Sequence, residues 1–331
     1  MSKKHLAYFA FFFYIITYSA NLYAKEAEKK EDYLTMKITP ELGLLNGSIN
    51  EYVFSLNCKN VGNKESELVW DINNVPYFRL TADFDVLKYA YIGIIAKFSF
   101  PGSSGVMQDY DWLNSLETLW KHESPYALTN YSCHDNQISK FMDFCVSLGG
   151  NIYLPFSIKL TPFIAYEYEL LSFDSFDGYR IYKSEKYSPM PFEGKVISYS
   201  QELNSILLGF KASFDLIPRT CIFGSFYCSP KLSFIKAMDY HIIRSIAFWD
   251  KLDFLWNIQA QLGAQYKFNS NHSAGISAGL QYIPLIQGRT SSKTLGSNNK
   301  PIYGKWTTSS ADFGGSQRFL WSLSLNYSFS L

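Results

Sequence analysis

The sequence predicts an all-β chain: a ten-stranded antiparallel transmembrane β-barrel with long extracellular strand extensions and loops. Three observations predict it. Aromatic residues make up 18% of the 331 residues, high for a soluble domain but usual for a barrel with interfacial aromatic girdles. After the N-terminal region no apolar run approaches the roughly 18–20 residues of a membrane helix, so a spanning structure must be a closed barrel. The final segment alternates residue by residue: Phe319, Trp321, Leu323, Leu325, Tyr327, Phe329 and Leu331 share one parity. Leu320, Ser322, Ser324, Asn326, Ser328 and Ser330 share the other.

The elements follow in order. Residues 1–24 read as a secretory signal: Lys3, Lys4 and His5 form a basic start, Leu6 to Tyr18 an apolar run, and cleavage falls after Ala24. The small-residue rule is met imperfectly, with Leu22 three positions before the cut. Lys25 to Asp32 is a charged leader, and residues 25–331 are expected to form one barrel domain.

Ten segments read as strands: 43–58, 66–84, 87–101, 137–154, 157–175, 195–216, 219–241, 243–268, 272–290 and 314–331. An even number suits a bacterial barrel. In the eighth, Phe248, Leu252, Phe254, Trp256, Ile258, Ala260 and Leu262 share a parity opposite to Asp253, Asn257, Gln259, Gln261 and Gln265. Connections near residues 84, 155, 217 and 270 are short and carry turn residues, whereas 102–136, 176–194 and 291–313 are long. Such barrels place short turns in the periplasm and long loops outside.

Bulk properties exclude some functions. With 30 basic and 29 acidic residues the chain is nearly neutral, which argues against a nucleic-acid partner. The five cysteines, at 58, 133, 145, 221 and 228, show no metal spacing; they read chiefly as small apolar side chains, with one bridge left open. No metal and no cofactor is expected. His122 and Glu123 lack further well-spaced ligands, and Ser124 lacks a nucleophile-elbow context.

Two acidic patterns stand out: Asp109-Tyr110-Asp111-Trp112 and Asp239-Tyr240-His241. Each puts two ionisable groups at i and i+2, on one side of extended chain. Both fall in or beside connections at the long-loop end. In the seventh strand Ser225, Tyr227, Ser229, Lys231 and Ser233 form the more polar face, and continuing that parity reaches Asp239 and His241. Absent a bulge, both face the lumen. An Asp beside a His fixes its tautomer and favours the imidazolium. A close Asp pair pushes one pKa upward and titrates as a unit. Together these groups suit holding and deprotonating a water.

These residues resemble the omptins, outer-membrane endopeptidases built on a ten-stranded barrel. Asp109 to Trp112 resembles the family's Asp-x-Asp-Trp, and Trp120 to Ser124 its Trp-x-x-Glu-Ser. Asp239-Tyr240-His241 followed by Arg244 resembles its second catalytic motif. Gly43 to Gly47 with Glu51-Tyr52-Val53, and Ser66 to Asn74, are similar to its first two strands. The resemblance implies that Asp239 and His241 activate a water that Asp109 and Asp111 hold from the opposite wall, without an acyl-enzyme. It implies that Glu51 receives a basic P1 side chain and that Ser124 lies close by. Peptides or proteins would be substrates, with the site of a monomeric barrel facing outward from the bacterial outer membrane. Two departures qualify it. Ala237 stands where a second acidic P1 contact is expected, and Leu170, with Glu202 and Asn204, replaces basic positions that bind outer-membrane lipid. Lipid activation is therefore expected to be weak or lost. A non-catalytic adhesin or host-protein receptor is the alternative reading, and a general porin a third.

Overall fold

The computed structural model describes residues 34–56, 64–113, 128–302 and 304–331. The expected signal and leader, Cys58, His122, Glu123 and Ser124 lie outside the described residues. The described chain is almost entirely strand: β1 (Leu34–Ser55), β2 (Lys64–Val86), β3 (Ala90–Ser99), β4 (Gly102–Asp111), β5 (Asn130–Gly150), β6 (Ile152–Leu154), β7 (Ile158–Tyr182), β8 (Pro189–Pro191), β9 (Lys195–Ile217), β10 (Thr220–His241), β11 (Ile246–Lys267), β12 (His272–Thr294) and β13 (Thr307–Ser330). Neighbours pair antiparallel, and β13 pairs back onto β1 from Lys37↔Ser330 to Ser55↔Asp312, closing the ring. β3 and β4 are successive halves of one wall strand, each lying between β2 and β5. β6 and β8 are three-residue additions to β7. The ring therefore has ten staves.

Its polarity is inverted relative to a soluble protein. On β13, Leu323 and Leu325 are 55% and 67% exposed on the outside, while Ser324, Asn326 and Ser328 are buried inside. Ile94, Phe98, Phe144, Val146, Phe210, Leu262 and Ile276 continue an apolar belt around the barrel. Such a belt is stable only against lipid. The lumen behind it is filled rather than open. Arg318 bonds Glu169 and Gln201, Asn257 and Gln259 bond Glu167, and Lys211 bonds Asp83 and Tyr91. A polar cavity of about 290 Å³ near the short-turn end is lined by Lys37, Arg79, Asp83 and Lys211 among others.

The strands run further than the sequence predicts. β1 begins nine residues before the predicted 43, and the three long connections contract because β4 and β5, β7, and β12 and β13 extend into them. The alternation signal fails there for a physical reason. Above the lipid belt the outer face no longer needs to be apolar, so a strand such as Gly102–Asp111 reads as loop.

Two irregularities decide which side chains enter the lumen. In β10 the pairing advances from Ser229↔Asn257 to Ser233↔Leu255, two extra residues on β10, with Lys231 at φ 60°. An even insertion preserves parity, so Ser229, Ser233, Ile235, Ala237, Asp239 and His241 are all buried. A bulge does intervene, yet, being even, it leaves Asp239 and His241 aimed inward as expected. Lys231, assigned to the inward face, is instead exposed within the bulge. In β11 the pairing then moves from Ser233↔Leu255 to Phe234↔Asp253, one extra residue, with Phe254 at φ 64°. An odd insertion reverses parity. Below it Leu255 and Asn257 point inward; above it Leu252 and Asp250 do. The single outward face read from Phe248 to Leu262 is therefore wrong above Phe254, and Leu252 is fully buried.

Candidate active site

The upper lumen collects five carboxylates and an imidazole above the apolar belt. Asp109 and Asp111 project from β4, not from a loop. Their strand is held by Leu68↔Asp109 and Ser66↔Asp111 on one side and Asp109↔Ser132 and Asp111↔Asn130 on the other. Gly105, at φ 113°, forms the bulge that sets this register; a Cβ there would lie 2.6 Å from Asn73 Nδ2. Above it Met107, Asp109 and Asp111 alternate inward, while Tyr110 faces out and packs on Tyr131 and Trp112.

Asp239 and His241 project from the end of β10. Asp239 lies between Tyr199 of β9 and Phe248 of β11. His241 Nε2 is 2.5 Å from Asp239 Oδ2, and its ring meets Phe248 edge-on at 5.5 Å. In the ring, three staves separate β4 from β10 one way and five the other. The two pairs thus occupy facing walls.

Arg244 joins them. It sits in the 242–245 turn directly after the His, where Ser245 takes φ 52°. Its Nη2 reaches across to 3.5 Å from Asp111 Oδ2 and 4.0 Å from Asp109 Oδ2. Ser66 Oγ donates to Asp109 Oδ1 at 3.3 Å and Asn130 Nδ2 to Asp111 Oδ2 at 3.4 Å. Below the site Trp70 is stacked on Phe173 and Tyr199, with centroids 5.5 and 5.3 Å away. This buried aromatic layer forms a low-dielectric floor beneath the carboxylates.

Glu51 is buried on β1, opposite Leu68, whose other neighbour is Asp109. Its Oε2 has no hydrogen-bond partner among the described residues. The sequence reading missed Asp250. Its signal was present: Phe254-Leu255-Trp256 is a three-residue apolar run that strict alternation does not permit, and it marks the β11 bulge. Pro230 marks the β10 bulge in the same way.

Titration behaviour reflects this crowding. Burial, then the adjacent Asp111 charge, push the Asp109 carboxyl up to about 7, against the pull of Arg244 and His241. Burial by itself would depress the His241 imidazole, but the charge and hydrogen bond of Asp239 outweigh it and raise the pKa. Burial, then the Asp239 and Asp250 charges, hold the Glu51 carboxyl well above the usual range. Burial, with Asp239 adding to it and a Thr290 hydrogen bond opposing, pushes Asp250 up to about 7. The arrangement can place a water between an imidazole base and a carboxylate pair. Among the described residues no three acidic, imidazole or thiol groups converge closely enough for a metal ion. Cys133, Cys145, Cys221 and Cys228 are all unbridged.

The chain is similar to known proteins over most of its length. The Omptin family model matches residues 31–329. The plasminogen activator of Yersinia pestis is 21% identical over 291 residues, covering 86% of this chain and 87% of that protein. Protease 7 of Escherichia coli K12 is 25% identical over 193 residues, covering 54% of this chain and 58% of that protein. The crystal structure of the outer membrane protease OmpT from Escherichia coli superposes with a TM-score of 0.74 at 22% identity, covering 89% of this chain and 97% of that one. With a family match across nearly all of the chain, and the same barrel in a solved relative, this protein belongs to the omptin family.

Proposed function

We propose that this barrel is an outward-facing endopeptidase that hydrolyses peptide bonds with an activated water. Two of the relatives, both from Escherichia coli, are named as proteases, and one observation carries the reading to these residues. A hydrogen-bonded Asp239–His241 pair faces two buried aspartates across a gap that one arginine side chain spans.

Asp239 Oδ2 accepts from His241 Nε2, which leaves the Nδ1 lone pair as the base. A water held by Asp109 and Asp111 gives a proton to Nδ1 as its oxygen bonds to the scissile carbonyl carbon. Asp239 stabilises the imidazolium, which then protonates the leaving amine as the C–N bond breaks. The attacking group is water, so no covalent enzyme intermediate forms. Glu51 lies beside the dyad as a substrate-binding carboxylate. Asp250, itself raised chiefly by burial, adds to the charge that holds Glu51 above the usual carboxylate range.

The test is a quenched-fluorescent peptide library presented to the barrel folded in detergent with lipid. The wild type should cleave members of the library. His241→Ala should lose roughly 10²–10⁴-fold in kcat/KM, the usual worth of a positioned base, while keeping the gel mobility of a folded barrel. A folded His241→Ala barrel as active as the wild type would sink the mechanism; a wild type that cleaves nothing would sink the function.

A further inference from the structure

The short-turn end of the lumen holds a second chamber, apart from the hydrolytic groove. The buried layer of Trp70, Phe173 and Tyr199 lies beneath the facing pairs. Further down the barrel comes the polar cavity of about 290 Å³, bounded at the strand ends by Thr35, Lys37 and Ser330. Lys37, Lys159, Ser213 and Gln265 also line a wider mouth of about 450 Å³, shared with the turn residues Ser157 and Asn271. The chamber is therefore reached from the short turns, at the opposite end of the barrel from Asp239 and His241.

Its wall carries four cationic side chains, Lys37, Arg79, Lys159 and Lys211, against three carboxylates, Glu41, Asp83 and Asp85, an excess of one positive charge. Each carboxylate is already engaged. Asp83 accepts from Lys211 Nζ at 2.7 Å and from the Tyr91 hydroxyl at 2.6 Å. Asp85 accepts from Lys159 Nζ at 2.6 Å and from Asn151 Nδ2 at 2.7 Å. Glu41 accepts from the Tyr77 hydroxyl at 2.7 Å, and Arg79 Nη1 stands 3.9 Å from its other oxygen. Lys37 is left over. Its cross-strand neighbour is Asp83, which Lys211 holds, and its ammonium donates instead to the amide oxygen of Gln265 at 3.1 Å. Arg79 likewise donates Nη1 to the amide oxygen of Gln261 at 3.1 Å. An ammonium has three donors and a guanidinium five, so both cations keep donors beyond these bonds. A surplus charge inside a wall surrounded by hydrocarbon is weakly screened and draws an anion from solution.

We propose that this chamber is a binding site for a small molecule carrying an oxyanion, a phosphate or a carboxylate, with the anionic group on the Lys37 ammonium. An acceptor-only, negatively charged group matches a wall of spare donors, and charge-assisted bonds of this kind are the strong ones. Lys37 pairs with Asp83 and Arg79 with Glu41, so the two cations stand at different depths of one cavity. The space is close to the lower end of small-molecule pockets, about 300 Å³, and exceeds what a bare anion fills. The site is independent of peptide hydrolysis and touches neither facing pair. With the hydrolytic groove facing outward, its ligand enters from the periplasm.

The experiment is isothermal titration of inorganic phosphate, and separately of acetate, into the barrel folded in a non-ionic detergent, with ionic strength held constant by chloride. The wild type should bind at least one of the two saturably, and the tighter one names the class of ligand. Lys37→Met should weaken that binding about 10- to 100-fold, the worth of one hydrogen bond to a charged group. Lys37→Arg keeps the charge and should restore most of it. Lys267→Met removes a cation at the mouth that Asp215 already pairs at 2.6 Å, and should change little. Ser213→Glu adds a carboxylate to the same wall and should abolish binding. The proposal is overturned if the wild type binds neither anion in the presence of chloride, or if folded Lys37→Met binds as tightly as the wild type. Should that variant not fold, unchanged affinity in Ser213→Glu overturns it equally.

Discussion

Asp109→Asn should inactivate the protein and stabilise its fold, and the stabilisation should depend on pH. The Asp109 carboxyl titrates near 7 in the folded barrel instead of 3.8, chiefly because it is buried and secondarily because Asp111 adjoins it. The folded state therefore binds this proton more tightly than the unfolded chain does. Below about pH 4 both states are protonated and the group costs nothing. As pH rises from about 4 to 7 the unfolded chain releases the proton first and stability is lost; above 7 the loss is complete. A pKa moved from 3.8 to about 7 corresponds to roughly 4 kcal/mol. Asparagine never pays this, but Arg244 loses one of its two anionic partners, so a net gain of about 2–4 kcal/mol at pH 8 is expected. The assay is the denaturant midpoint of folded-band mobility for both proteins at pH 4, 6 and 8 in the same lipid–detergent mixture. The midpoints should nearly coincide at pH 4 and diverge toward pH 8, with kcat/KM of the variant down by at least about 10²-fold. A gap that is constant with pH, or that favours the wild type at pH 8, would refute the claim that the ionised Asp109 is held against its solvation.

Two further outcomes follow from the same geometry. Deleting Leu232 alone makes the β10 insertion odd, which turns Asp239 and His241 outward and should abolish cleavage; deleting Lys231 and Leu232 together keeps the parity and should retain at least about a tenth of it, as peptide kinetics on the folded barrels will show. Arg244→Ala removes the cation that lowers the Asp109 pKa, so the acid limb of the pH–kcat/KM profile should move to higher pH; an unmoved limb would mean that Arg244 does not act on the aspartate pair.

The barrel and the four residues of the facing pairs were legible in the sequence. Lipid contact forces period-two alternation on the membrane-spanning part of every strand, and β13 shows it from Phe319 to Tyr327 with Leu320 the one apolar residue on the inward face. Ionisable groups at i and i+2 announce a shared face wherever the chain is extended, which is why Asp109/Asp111 and Asp239/His241 were legible even though β4 was read as loop. The structure alone decided what lies opposite what. The extent of the upper walls was hidden because polar residues are permitted on both faces above the lipid. Arg244 could be counted in the sequence, but its reach across the lumen could not. Asp250 was missed because face depends on the cumulative count of extra residues: two in β10 restore the parity, one in β11 reverses it. Pro230 and the run Phe254-Leu255-Trp256 mark where such insertions occur, but only the hydrogen-bonded register fixes how many residues each contains.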